Sequence, residues 1–320
     1  MNAVTCLLIF SSKKGSDMLS PELLWGIDVG GTKIEGVTLR QGKQLEIISR
    51  IRIPTEKEKG YKHILTQIKK LLRELKRKSG ETPGEIGIAI PGTHDPGRQT
   101  IKNANTTSLI GKPLLHDLQK TLQLPVKLAN DANCFALAEA KHGAASRLNP
   151  NAEVVFGIIM GTGVGGGIVI NGSIINGLQG IAGEWGHNFL DESGGKCYCG
   201  KTGCVETIIS GPALEEYYHK LSGNSKTLKE INYLHEQGHD SHASKTIHRL
   251  CHYFGKGVAR VINIIDPEII VIGGGLGNIK GLYTEGVKEA KKYIFNHSLK
   301  TTFAQPELGD SAGVIGAALL

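Results

Sequence analysis

The chain of 320 residues has little of what marks several common protein classes. No apolar run reaches the ~20 residues that a membrane-spanning helix needs, so no membrane partner is expected. The opening AVTCLLIF is short and apolar, but no basic residue precedes it and no clear cleavage site follows, so a secretory signal is not expected. Residues 1–23 are expected to be a disordered N-terminal extension, and Met18 is an alternative start that would make residues 1–17 disordered or artefactual. Cysteine is scarce, six in all, and only Cys197, Cys199 and Cys204 are clustered. That excludes a disulfide framework and favours metal binding in a reducing cytoplasm. Aromatic residues make up only 5%, which suits a soluble α/β protein built on Val, Ile and Leu strands. No stretch rich in Pro or Ser separates independent modules. Neither GxxxxGK[ST] nor a GxGxxG opening a helix occurs, which excludes the P-loop and the dinucleotide fingerprint.

Glycine and positive charge are abundant. The net charge of +7 is concentrated in residues 57–78, where lysines and arginines alternate with apolar residues at helical spacing. This is expected to be the outer face of an amphipathic helix. No aromatic or loop partners for a nucleic acid lie nearby, so none is expected to bind. The 43 glycines occur in short runs, which points to tight backbone sites for phosphate.

Residues 24–40 read as strand, glycine turn and strand. Further strands are expected at 47–53, 86–90 and 126–129, with a loop over 93–112, a short helix at 114–122 and another from Asn130 through Lys141. A second strand, glycine run and strand, 154–160, 161–167 and 168–170, echoes the first and signals two related α/β halves. Helices over 212–238 and 244–264, a buried strand at 269–272 and a last helix near Ala312 complete the pattern.

Three glycine sites end strands: Asp28-Val29-Gly30-Gly31-Thr32-Lys33, Gly161-Thr162-Gly163 and Gly273-Gly274-Gly275. Together they suit a nucleoside triphosphate, with Asp28 placed to hold hydrated Mg²⁺. Asn130-Asp131 stands where a strand becomes a helix. Either residue is an ordinary helix cap, and a carboxylate there also suits proton acceptance during phosphoryl transfer. His187, Cys197, Cys199 and Cys204 form the four-ligand set of a closed, structural Zn²⁺ site, flanked by Glu184 and Glu206. The turns between them fall at Gly194, Gly195, Gly200 and Gly203. His235, His239, His242, His248 and His252 have no ligand spacing and are expected to be solvent-exposed.

Taken together, these motifs resemble the ROK family of sugar kinases within the actin-like ATPase superfamily. The resemblance runs from Trp25 to Leu320 and rests on Cys197-Tyr198-Cys199-Gly200-Lys201-Thr202-Gly203-Cys204-Val205-Glu206, with Glu184-Trp185-Gly186-His187 ahead of it. It implies two related actin-like (ribonuclease H-like) α/β domains hinged around a central cleft. The small domain would span 24–129, completed by about 306–320, and the large one 130–305 with the zinc loop. It further implies Asp131 as catalytic base, with Asn105, Asn130, Glu184, His187 and Glu206 on the sugar hydroxyls. His187 would use one ring nitrogen for zinc and the other for sugar. Asp28, Gly30, Gly31, Thr32, Lys33, Gly161, Thr162 and Gly163 fall at ATP phosphates and Mg²⁺, and Gly273 to Gly275 near adenosine. A homodimer acting on ATP and a hexose at its 6-hydroxyl is the implied assembly and activity. Lys102-Asn103-Ala104-Asn105-Thr106-Thr107 and Cys197-Tyr198-Cys199 look most like the fructokinases of the family, whereas Asp131 to Leu137 and Gly161 to Gly167 resemble its N-acetylglucosamine kinases equally well. A sugar-sensing repressor of the same family would carry a helix-turn-helix domain ahead of residue 24, for which too few residues are present. A zinc-stabilised sugar binder without catalysis is disfavoured by the intact Asp28, Thr32 and Asp131.

Overall fold

The computed structural model describes residues 23–42 and 45–320. The expected N-terminal extension lies outside the described residues except for Leu23, which opens the first strand. Strands β1 (Leu23–Val29), β2 (Lys33–Arg40) and β3 (Glu46–Pro54) lead through helix α1 (Tyr61–Ser79) to β4 (Ile86–Ile90) and the small hairpin β5 (Thr93–Asp95) and β6 (Thr100–Lys102). Helix α2 (Leu114–Leu122), β7 (Val126–Asn130), α3 (Asp131–His142) and α4 (Ala144–Leu148) follow. The second half runs β8 (Val154–Met160), β9 (Val164–Ile170), β10 (Ser173–Ile174), α5 (Glu206–Ile209), α6 (Gly211–Ser222), α7 (Leu228–Glu236) and α8 (Ser241–Ile265). It closes with β11 (Ile269–Gly273), α9 (Glu285–Lys291), β12 (Thr302–Ala304) and α10 (Ala312–Ala318).

The two halves repeat one topology. One sheet has the order β3-β2-β1-β4-β7 and the other β10-β9-β8-β11-β12. In each, three antiparallel strands joined by glycine turns continue into two parallel ones. The parallel strands β4 (IGIAI) and β11 (IIVIG) are buried at every residue, as covering on both faces demands. In α1 the apolar stripe Ile64, Ile68, Leu71, Leu72 and Leu75 is buried against the first sheet, leaving its lysines and arginines outside.

Helices α3 and α10 lie between the sheets. Their residues Phe135, Ala136, Ala138, Ala312 and Ile315 share one core with Val37 and Leu39 of the first sheet and with Val155, Val169 and Val271 of the second. Glycine permits this closeness at two crossings. A β-carbon at Gly316 would lie 1.8 Å from the Cys134 carbonyl oxygen, and one at Gly87 would lie 1.7 Å from that of Ala317. Among the described residues, no helix is long and apolar enough to cross a membrane.

Four local expectations need correction. The loop at 93–112 contains the β5–β6 hairpin. Only Gly161 to Gly163 form the second glycine turn, because Gly165 to Gly167 pair within β9 against β8. The helix expected over 212–238 is two helices: Gly223 ends α6 at φ 73°, and Thr227 and Glu230 form a reciprocal cap that starts α7. The basic helix starts at Tyr61, so Lys57 and Lys59 lie in the 3₁₀ turn before it.

Candidate active site

The strand ends of both halves converge on the cleft. Asp28 ends β1 beside the turn Gly30 to Thr32, where the Gly30 N–H donates to the Lys33 carbonyl (3.0 Å) and Thr55 Oγ1 donates to the Gly30 carbonyl (2.7 Å). Gly31 leaves open space that Lys57 Nζ approaches, 3.8 Å from where a β-carbon would stand. Lys33 points toward Glu35, 3.8 Å away, and not directly at the turn. Across the cleft, the Gly161 N–H donates to the Gly163 carbonyl and the Gly211 N–H to the Gly161 carbonyl, both at 2.9 Å. This ties the second glycine turn to the start of α6.

Behind that turn opens a cavity of about 640 Å³ lined by Gly161, Thr162, Pro212, Leu228, Asn232 and Gly275, among others. Of the third glycine group only Gly275 lines it. A β-carbon on Gly273 would meet the Phe135 ring at 2.6 Å and one on Gly274 the Met160 carbonyl at 2.2 Å, so these two glycines serve packing. No motif points to Pro212, Leu228 or Asn232, which reach the cavity only because α6 and α7 fold over it.

Asn130 caps α3. Its Oδ1 accepts from the Ala132 N–H (2.9 Å), while its Nδ2 donates to the Gly92 carbonyl (3.1 Å). Asp131 also accepts from the Ala132 N–H (2.8 Å). Burial raises the Asp131 carboxyl to about 6, the Ala132 N–H opposes the rise, and the charge of Glu184 adds to it. Burial, helped by the charges of Asp131 and Glu35, raises Asp28 to about 7. Two carboxylates that resist ionisation side by side make a site prepared for a cation or a proton.

Trp185 places the next two residues. It is buried, its Nε1–H donates to the Gly165 carbonyl (3.0 Å), and its ring meets Phe156 edge-on. The 3₁₀ turn Trp185–His187 is thereby pinned to β9, with Glu184 at its start accepting from Thr93 Oγ1 (3.2 Å). Glu206 opens α5 and accepts the Val164 N–H (2.9 Å) at the second glycine turn. Asn105 is exposed on the loop after β6, whereas Asn103, at φ 53°, lines a cavity of about 460 Å³ together with Glu184, His187 and Asn188.

His187, Cys197, Cys199 and Cys204 come together with all four ligand atoms within 4.8 Å of one another. Cys199 Sγ stands 3.6 Å from Cys204 Sγ, and Cys197 Sγ 3.6 Å from His187 Nδ1. A tetrahedral Zn²⁺ at ~2.3 Å from sulfur and ~2.0–2.1 Å from nitrogen has ligand-to-ligand edges of about 3.6–3.8 Å, so the set fits a closed zinc site. Gly195, Gly200 and Gly203 adopt φ of 68°, 88° and 72°, the left-handed turns that fold the loop onto itself. Gly194 instead packs on Ile208.

The second nitrogen of His187 is already engaged. Nε2 lies 2.9 Å from the Tyr198 hydroxyl, with the two rings edge-on. Burial and then the charges of Glu206 and Glu184 raise the Tyr198 phenol to about 12, so this exposed side chain stands among the candidate sugar ligands. Four members of the dispersed histidine set have partners elsewhere: His235 with Ser244, His242 with Asp240, His248 with Glu285 and His252 with Glu289.

The sequence model of the ROK family matches residues 24–320. Among curated proteins, the N-acetyl-D-glucosamine kinase of Yersinia pseudotuberculosis is 35% identical over 309 residues, covering 93% of this chain and 98% of its own. Among solved structures, a ROK hexokinase from Thermus thermophilus superposes with a TM-score of 0.82 at 31% identity, over 93% of this chain and 97% of its own. A ROK family glucokinase from Streptomyces griseus, solved with glucose and AMPPNP, gives a TM-score of 0.74 at 27% identity, covering 92% and 98%. A two-domain α/β fold, a Cys₃His cluster beside two acids and a match along nearly the whole described chain agree: this protein belongs to the ROK family and is one of its sugar kinases.

Proposed function

We propose that the protein transfers the γ-phosphoryl group of ATP to the 6-hydroxyl of an N-acetylated hexose, with N-acetylglucosamine as the first candidate. The observation that carries the reading is Asp131. It is a carboxyl raised to about 6 at the head of α3, close enough to Glu184 to feel its charge and close enough to Asp28 to act on it. Its ionised form takes the proton of the attacking hydroxyl, a contribution of about 10²–10⁴ in rate. Asn130, Glu184 and Glu206 hold the other hydroxyls, and His187 joins them once its Nε2 exchanges the Tyr198 hydroxyl for a sugar hydroxyl. The backbone N–H groups of the glycine turns, with Thr32, Thr162 and Lys57, receive the phosphates, and the cavity behind Gly275 takes the nucleoside. Asp28 would hold Mg²⁺, which when bound neutralises charge on the phosphates. Zn²⁺ on His187, Cys197, Cys199 and Cys204 would fix the spacing of the sugar ligands and leave the reacting atoms alone. The same reading has the enzyme at work in the cytoplasm as a homodimer, which analytical ultracentrifugation checks.

The relatives support an N-acetylated sugar better than the fructose expected from Lys102 to Thr107 and Cys197 to Cys199. A coupled kinase assay over N-acetylglucosamine, N-acetylmannosamine, glucose, mannose and fructose decides between them. The expected result is the highest kcat/KM for N-acetylglucosamine. A clear preference for fructose restores the fructokinase reading, and no turnover of any hexose removes the kinase reading altogether.

A further inference from the structure

A third, smaller cavity of about 160 Å³ lies against the proposed sugar ligands and has no part in the chemistry described so far. Its wall includes Asn130, which belongs to the proposed hydroxyl-binding set, and Thr93, which holds Glu184 of that set. The 176–180 loop lies over it, with Gly180 so close to the hairpin that a β-carbon there would stand 2.6 Å from the His94 carbonyl. Two of the lining residues carry buried polar atoms without a partner, Asn133 Oδ1 and His94 Nε2, and Asn133 is only 4% exposed. Buried polar atoms in native proteins nearly always have a partner, so two orphans in one small cavity mark a place that something polar fills.

The orphans differ in kind. Asn133 Oδ1 can only accept. Burial lowers the pKa of His94, so near neutral pH the ring is neutral and has a single N–H to donate. Ile90, Pro96 and Leu128 form an apolar part of the remaining wall, which Asn176 interrupts from the covering loop. A group that offers one donor, one acceptor and a methyl would satisfy all three.

We propose that this cavity is the subsite for the 2-acetamido group of an N-acetylated hexose, Asn133 Oδ1 accepting from the amide N–H and His94 Nε2 donating to its carbonyl oxygen. The inference rests on the kinase reading above and adds the discriminating contacts. The volume is roughly five times the ~30 Å³ share of one liquid water, so small acyl groups fit and large ones do not. A bare 2-hydroxyl would leave the apolar wall empty.

The test compares N-acetylglucosamine with glucose in the wild type, Asn133→Leu and His94→Leu, by steady-state kinetics and by calorimetric titration of each sugar. The ratio of kcat/KM for N-acetylglucosamine over glucose is expected to fall at least tenfold in each variant, mainly through KM. His94→Gln, which keeps a donor, should recover part of the loss. An unchanged ratio means that the cavity holds water only, and the inference falls. Should the Leu variants fail to fold, a series of N-formyl, N-acetyl, N-propionyl and N-benzoyl glucosamine on the wild type decides the matter. A sharp rise in KM at the benzoyl group supports the subsite, and a KM indifferent to acyl size places the group in solvent and overturns it. If no hexose is phosphorylated, the kinase reading fails on its own account. Calorimetry then still judges the subsite, which stands if the preference for N-acetylglucosamine is lost in Asn133→Leu and falls if the wild type shows none.

Discussion

Asp131 sits where its environment works against its charge, and this has two measurable consequences. A base must be ionised to act, so kcat/KM for the sugar should fall as pH drops through about 6, with ordinary carboxylates contributing nothing at that pH. For stability the sign is opposite to that of a salt-bridged aspartate. A carboxyl raised from 3.8 to about 6 binds its proton more tightly folded than unfolded, so the fold loses stability as pH rises between those values. Asp131→Asn should therefore melt at or above the wild-type temperature at pH 8 and lose that advantage toward pH 4. Its turnover should drop by about 10²–10⁴ while calorimetry still detects sugar binding. Lys57 is the second residue to probe. It approaches the open side of Gly31 and has no acidic partner among the described residues. Lys57→Ala should raise KM for ATP about tenfold, in line with ~1.5 kcal/mol for one charge-assisted hydrogen bond, and leave KM for sugar unchanged. An unchanged KM for ATP would return Lys57 to the solvated surface. Nothing in the local sequence sets it apart from the lysines that follow; its position comes from the chain after β3 folding against the Gly30–Thr32 turn, where Thr55 is bonded.

At the scale of elements, the long helix α8 holds the zinc loop from outside. Arg249, Tyr253, Lys256 and Arg260 share one face at helical spacing. Arg249 stacks between the rings of Tyr217 and Tyr253 at 4.6 Å from each and donates to Ser193 Oγ (2.9 Å). Lys256 pairs with Asp191, and Arg260 donates to the Phe189 carbonyl. Arg249→Ala should speed zinc loss to a chelator several-fold with little change in secondary structure, as atomic absorption and circular dichroism can follow. The crossing of α10 over α3 is less forgiving. Gly316→Ala forces a methyl into the Cys134 carbonyl and should destabilise by about 1–3 kcal/mol, seen as a fall of several degrees in Tm.

The same elements show what was legible in the sequence. Strand ends, glycine turns and the Cys₃His set could be read because period-2 apolar runs, Gly clusters and ligand spacing are local signals. Local signals also misled: Gly165 to Gly167 look like turn and are strand, and Gly273 and Gly274, expected near adenosine, pack tightly on Phe135 and Met160. Tyr198, Thr93 and the walls of the nucleoside cavity stayed hidden because their roles arise from chain segments far apart in sequence.

For the whole molecule, the repeated topology gives two sheets, each presenting a glycine turn to one cleft. The zinc cluster belongs to the second half, so stripping the metal should have a graded effect. Sugar affinity should fall sharply as Glu184, His187 and Glu206 lose their spacing, while the glycine turn at Gly30, anchored by Thr55, keeps its shape. Titration of sugar and of a non-hydrolysable ATP analogue into zinc-depleted protein, with metal content measured, separates the two. Equal losses for both ligands would mean that the cluster supports the whole second half and not the sugar loop alone.

Glu206 touches both territories. One carboxylate oxygen accepts the Val164 N–H beside the second glycine turn, and the group also stands near enough to Tyr198 to bear on its phenol. Under the proposed roles, a sugar that moves this carboxylate also moves the backbone proposed to receive the nucleotide. The two substrates are then thermodynamically linked: whatever factor the sugar contributes to nucleotide affinity, the nucleotide must return to the sugar. Glu206→Ala removes the acceptor of the Val164 N–H, and it should bring that shared factor close to one in paired calorimetric titrations.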